Sequence, residues 1–301
     1  MKLGWLRTRG TQRSTRAGAL LEPGVEVKSA WIGNRRYFFD LPYTLPKDEL
    51  EARRLDFQHH YMRAVLKGHY MAPLAKKGVR QVVDIGCGTG RWCMDMAQAF
   101  PYAQVHGLDI DIPESGPGQA PLNYRFVQGN VLESLPFADA FSDFTHQRLL
   151  VAAIPTAKWP AVISELARIT RPGGWVELVE ACDAYEHAGP ALQQFLTWGR
   201  AVSSARGIEV GQVANLDMLL SGVGLRYVEK RVLRMPVGRW GGRLGHALAQ
   251  NMLAAFIGLR GLFCQMLAIT PELFDATHAT LAAEWEAYHT IFHIYVAFGQ
   301  K

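Results

Sequence analysis

Three glycines stand at alternate positions in Asp84-Ile85-Gly86-Cys87-Gly88-Thr89-Gly90, directly after the apolar run Gln81 to Ile85 and before a stretch of helical character from about Arg91 to Phe100. Glycine at this spacing lets the backbone turn sharply and admits a ligand close to the main chain. A buried strand, a tight glycine turn and a helix in immediate succession commit the chain to a strand-turn-helix unit.

That unit recurs. Strands are expected at Gln104 to Asp109, Tyr124 to Gln128, near Phe141 to Thr145 and at Trp175 to Val179, with a helix at Trp159 to Ile169. Such alternation implies a parallel sheet with helices on both faces. Upstream, Trp31 to Pro46 is aromatic and turn-rich, and Asp48 can cap a helix running to about Lys67, with Leu55, Gln58, His59, Met62 and Leu66 on one face. Downstream the alternation breaks: Leu216 to Val223 reads as a helix and Leu225 to Leu233 as a strand. A long, mostly helical stretch follows, and Thr290 to Gly299 closes as a strand. The expectation is an α/β fold with a seven-stranded, mostly parallel sheet and an added helical lid. The expected division is a disordered basic tail over 1–30, a cap segment and helix over 31–75, a ligand-binding core over 76–236, a lid insertion over 237–287 and a final core strand over 288–301.

With 301 residues, 49% apolar and 20% charged, the chain can bury a large core, and no run of eighteen uncharged apolar residues is present to span a bilayer. Leu244 to Leu259, interrupted by His246, Gln250 and Asn251 and closed by Arg260, suits a buried or pocket-lining helix. No stable membrane insertion is expected. The net charge of +5 is concentrated in Lys2, Arg7, Arg9, Arg13 and Arg16, all before the first acid, Glu22, so the remainder is near neutral and no nucleic-acid face is implied. That start lacks the apolar core of a signal peptide and reads as a tail rather than a targeting peptide. Cys87, Cys93, Cys182 and Cys264 form neither a CxxC pair nor a ligand cluster, which fits a reducing, cytoplasmic setting without a structural metal.

The ligand is narrowed by three positions. A dinucleotide GxGxxG turn wants a small residue at position 91, where this chain has Arg91, so a nicotinamide reading is the weaker one. Asp109, nineteen positions after Gly90 and ending the next strand, stands where a carboxylate accepts both ribose hydroxyls of an adenosine ligand; alone it would be a turn-capping acid. Asn130 can pair with the adenine edge and Val131 can pack on its face, although Asn after Gly is otherwise an ordinary turn residue.

The series VVDIGCGTG, HGLDID, VQGNVLESLPF and LARITRPGGWVELVE resembles that of the class I S-adenosylmethionine-dependent methyltransferases. The likeness implies a Rossmann-like fold and S-adenosyl-L-methionine as cofactor, with S-adenosyl-L-homocysteine as product. The glycine loop would meet the methionine part, the acid the ribose and the third strand's end the adenine. Asp84, Gly86, Gly88, Gly90, Asp109, Ile110, Asn130, Val131 and Gln147 are the implied cofactor residues. Many members have Asp where this chain has Asn130. The segment YTLPKDELEARRLDFQHHYMRAVLKGHYMAP, the strand end DFTHQR and the closing HIYVAFGQK are similar to the LaeA-like methyltransferases of secondary metabolism. There the N-terminal helix closes over the cofactor, which implies roles for Arg54, Gln58 and His59 near the methionine carboxylate.

Methyl transfer to oxygen, nitrogen or carbon can require a base. His146, Glu180, Tyr185, His289 and His293 are the candidates, with His146, Glu180 and His293 in front, each with a structural alternative. Tyr37, His59, Tyr185, Trp240 and Phe256 are candidates for acceptor contact, and Trp198, Met252, Phe263, Met266 and Phe274 supply further apolar surface, much of it the lobe's own core. The expected activity is methylation of a hydrophobic or aromatic small molecule by a monomer or homodimer. The alternative is a LaeA-like regulator, or a protein methyltransferase, acting through a protein partner.

Overall fold

The computed structural model describes residues 28–75, 77–111 and 120–301; the basic tail up to residue 27 lies outside the described residues. A hairpin opens the described chain: β1 (Ser29–Ile32) and β2 (Arg35–Phe38) pair antiparallel around Gly33, where the aromatic pattern had suggested only a turn-rich cap. The helix α1 (Glu49–Leu66) begins where the Asp48 carboxylate accepts from Glu51 N at 3.0 Å and ends at Lys67 in the left-handed region.

The expected alternation then runs through β3 (Gln81–Ile85), α2 (Arg91–Ala99), β4 (Gln104–Asp109), β5 (Tyr124–Gln128), β6 (Ser142–Arg148), α3 (Trp159–Ile169) and β7 (Thr170–Glu186). The chain continues with α4 (Pro190–Ser204), α5 (Leu216–Gly222), β8 (Arg226–Pro236), α6 (Gly242–Gly258), α7 (Arg260–Leu267), α8 (Pro271–Tyr288) and β9 (Ile291–Gln300). Among the described residues the main sheet has seven strands in the order β5-β4-β3-β6-β7-β9-β8. Only β9 runs against its neighbours; the other pairs are parallel.

The side-chain alternation of β3 explains the layering. Val82 joins one core with Trp92, Met96 and the apolar residues of α4 and of α6 to α8, while Val83 and Ile85 join the opposite core with Ile163, Leu166 and Leu220. Two elements exceed the sequence reading. β7 runs well past Val179 because its extension pairs antiparallel with β9. α4 had not been expected; its face Leu192, Phe195, Trp198 and Val202 is buried, and Glu284 of α8 accepts from Ala191 N and Leu192 N at its first turn. No single helix among the described residues is long and apolar enough to cross a membrane, although Arg239–Gly258 and Arg260–Leu267 together pass that test with a 44° bend between them.

Candidate active site

Gly86, Gly88 and Gly90 all adopt left-handed backbone (φ 69°, 56° and 74°). Gly86 N and Cys87 N donate to Leu108 O, and Gly88 N donates to Asp109 Oδ2 at 2.8 Å, so the loop is pinned to the end of β4. A Cβ at Gly86 would lie 2.5 Å from Leu150 Cδ2, which brings the chain after β6 hard against the loop; one at Gly88 would meet only Leu55 at 3.8 Å. The loop backbone is therefore closed on one side and approachable on the other. From above, Asp56 of α1 accepts from Thr89 Oγ1 at 2.7 Å and from Arg91 at 3.3 Å.

Loop, sheet edge, α1, α4 and α6 enclose a cavity of about 420 Å³. Of the residues singled out in the sequence, Arg54, Gln58, Asp84, Gly86, Gly88, Asp109, Ile110, Asn130 and Val131 line it, as do His59, Tyr185 and Phe256. Gly90, Gln147, Tyr37, Trp240 and the three leading base candidates do not.

Each of those departures has a packing reason. His146 is fully buried, its Nδ1 2.7 Å from Asp84 Oδ1 and its ring stacked on Trp92; burial lowers its pKa against the pull of Asp84. Glu180, also fully buried, accepts from Gln147 Nε2, Leu150 N and Val151 N, so Glu180 and Gln147 serve each other and the turn after β6. His293 pairs with Glu186 on the far part of β9, and His289 packs on Trp240, whose indole donates to Val237 O. Tyr37 donates its hydroxyl to Gly258 O and anchors the hairpin to α6. None of these candidates lines the cavity.

Two lining residues are also committed elsewhere. Asn130 Oδ1 accepts from Leu132 N at 3.0 Å and Nδ2 donates to Glu133, so its side chain closes a turn, and one lone pair of its oxygen is left for the expected adenine contact. Arg54 is gripped by Glu51 through Nε and Nη2 and donates from Nη1 to Asn251 Oδ1 at 2.8 Å, so the guanidinium joins α1 to α6 with its counter-charge beside it.

Among the lining residues that the sequence did not point to are three charged ones, Lys47, Asp183 and Arg148. Lys47 Nζ reaches Asp109 Oδ1 at 3.4 Å. Asp183 lies in a bulge of β7, where the four-residue step from Ala181 to Tyr185 faces the two-residue step from Ile294 to Phe292, and it pairs with Arg200 of α4. Arg148 ends β6, and its Nη2 donates to His59 Nδ1 at 3.3 Å. His59 in turn sits 3.1 Å from Asp95 Oδ2 through Nε2; burial, with the nearby Arg148 charge, pushes its pKa down to about 4. The ring is thus neutral, donating to Asp95 and accepting from Arg148. The sequence signals for this group were the DFTHQR segment, which ends in Arg148, and the N-terminal helix segment that holds His59.

Comparison with known proteins agrees with this geometry. The signature of the family described as Methyltransferase domain matches residues 82–174. The N-methyltransferase sirN of Leptosphaeria maculans is 30% identical over 231 residues, 73% of this chain and 80% of that protein. The secondary metabolism regulator LAE1 of Cochliobolus heterostrophus is 27% identical over 209 residues, 66% of this chain and 67% of that protein. A methyltransferase assigned to an antibiotic biosynthesis pathway of Anabaena variabilis shares the fold, with a TM-score of 0.51 at 15% identity over 80% of this chain and 97% of that one. The sheet order with its single reversed strand and the loop-to-acid contact are those of a class I methyltransferase dependent on S-adenosylmethionine. Within that class, the chain belongs to the LaeA-like methyltransferases.

The residues present fit the cofactor. The cavity offers a carboxylate at the end of β4, apolar Ile110 and Val131 beside it, a glycine backbone open on the cavity side and a guanidinium beyond the loop. A diol, a planar base and an amino-acid end are the groups such a set can hold.

Proposed function

We propose that the protein methylates a hydrophobic or aromatic small molecule of specialised metabolism. The observation that carries this reading is the apolar wall of Tyr185, Phe195, Met252, Phe256, Phe263 and Phe292, which line the same cavity as the glycine loop. Phe195 and Phe256 stack at 4.3 Å between ring centroids, a surface suited to a flat apolar ligand. Likeness to sirN, an N-methyltransferase, supports the same reading.

S-adenosylmethionine supplies a methyl group already activated for displacement, so the protein has to align the acceptor and keep water away. The apolar wall does both. Asp183, brought to this cavity by the β7 bulge, is the group we assign to take the proton of an O–H or N–H acceptor, with Arg200 holding the carboxylate. Asp84, Asp109, Asn130 and the glycine loop remain the assigned cofactor contacts.

A second reading, a regulator acting on or through a protein partner, draws support from the likeness to LAE1 and from exposed aromatics on the hairpin and just after it, Trp31 at 66% and Phe39 at 56% exposure. Incubation with methyl-labelled S-adenosylmethionine and a cell extract, followed by mass spectrometry, separates the two. Label in a small apolar compound is the expected result. Label confined to protein, or a stoichiometric protein partner with no labelled metabolite, would overturn the proposal in favour of the regulator.

A further inference from the structure

We infer that Arg148 binds the α-carboxylate of the cofactor's amino-acid end, and that His59 is a positioning residue that holds Arg148 there. The inference rests on the cofactor assignment and not on the proposed acceptor.

Register places Arg148 at the loop. β3 and β6 pair in parallel with Ile85 opposite Gln147, so Arg148 stands one step further along, level with Gly86, and the chain just beyond it presses Leu150 onto that glycine. This is the part of the cavity where the glycine turn opens to a ligand.

Burial lowers the pKa of Arg148, and among the described residues no carboxylate forms a direct ion pair with it. Asp84 attracts the guanidinium through space, but its direct contacts are with His146 Nδ1 at 2.7 Å and Cys93 Sγ at 3.4 Å. Arg54, the other buried guanidinium on the wall, carries its own counter-charge in Glu51. A half-buried guanidinium whose hydrogen-bond partner is a neutral ring nitrogen retains donors for a carboxylate, which matches its planar fork in two parallel bonds.

The chain Asp95, His59, Arg148 fixes the direction of that fork. Asp95 accepts from His59 Nε2 and also from Arg63 at 3.1 Å, which leaves His59 Nδ1 as a lone-pair acceptor aimed at Arg148. A protonated ring would lose that lone pair and repel the guanidinium.

Isothermal titration of the full chain with S-adenosylhomocysteine and with 5′-methylthioadenosine, which lacks the amino-acid end, tests this. Arg148→Met should lower affinity for S-adenosylhomocysteine by roughly ten- to a hundredfold and leave affinity for methylthioadenosine within about twofold. Arg148→Lys should recover part of the loss, and His59→Phe should lower the ratio of the two affinities in the same direction. Equal weakening toward both ligands would make Arg148 a purely structural residue. Unchanged affinity for both would turn its charge toward an anionic acceptor instead, and either result overturns the inference. Wild-type protein that binds neither ligand would overturn the cofactor assignment itself.

Discussion

Arg54 Nη1 donates to Asn251 Oδ1 at 2.8 Å while its Nε and Nη2 hold Glu51, so one buried guanidinium joins the N-terminal helix to the helical lobe above the cavity. Glu51→Ala would leave that charge uncompensated at low dielectric and should cost about 3–5 kcal/mol. Asn251→Ala removes one neutral acceptor and should cost about 1–3 kcal/mol. Urea unfolding of the two variants gives the order directly, and a smaller loss for Glu51→Ala than for Asn251→Ala would contradict the account.

Gly86 has two reasons to be glycine, its φ of 69° and Leu150 lying 2.5 Å from where a Cβ would stand. Gly86→Ala should destabilise by about 1–3 kcal/mol and weaken S-adenosylhomocysteine binding. Adding Leu150→Ala relieves the clash but not the backbone strain. Affinity in the double variant should therefore recover in part, and a double variant no better than the single would leave the clash without effect.

Asp109 bonds Gly88 N at 2.8 Å and Lys47 at 3.4 Å, and so shapes the loop as well as facing the cavity. Asp109→Ala should weaken S-adenosylhomocysteine by about 1.5–3 kcal/mol, tenfold or more in Kd, by titration calorimetry. Asp109→Asn keeps one acceptor for Gly88 N and should lose less.

Stability should depend on pH with opposing contributions. His59 titrates near 4 when folded against an ordinary 6.5, so the unfolded chain takes up the proton first, and its contribution is lost as pH falls from about 6.5 toward 4. Burial raises Glu177 and Glu180 to about 7 from 4.5, so the unfolded chain releases protons first and stability falls as pH rises from about 4.5 through 7. His106 and His146, lowered by burial as His59 is, add to the histidine side below about pH 6.5, whereas above it the two acids act alone. Chemical denaturation from about pH 6.5 to 8 should show declining stability, and Glu177→Gln should flatten the decline. A steeper decline in that variant would reverse the sign assigned here.

The alternation of elements was legible because each strand and helix carries its period locally: α3 begins and ends at Trp159 and Ile169 as read, and β3 at Gln81 and Ile85. The extension of β7 was not, because Ala181 to Glu186 become strand through pairing with residues more than a hundred positions away. The same holds for side chains. His146 next to a strand end looks like a base until Asp84 and Trp92 are seen to enclose it, and the turn that Asn130 closes through Leu132 N shows only in the folded chain.

By itself, then, the sequence determined the class of the protein, since a glycine turn between strand and helix, with an acid at the next strand's end, is a local pattern whose backbone consequences need no distant partner. Which polar groups are left free to meet a ligand was decided only by tertiary structure. Arg54 has Glu51 as its counter-charge and Asn251 beside it, whereas Arg148 lines the cavity with no ion-pair partner among the described residues. Both are arginines near the same loop, and the difference lies in where α1, α6 and the end of β6 converge, because a buried charge is compensated by whatever folding places beside it.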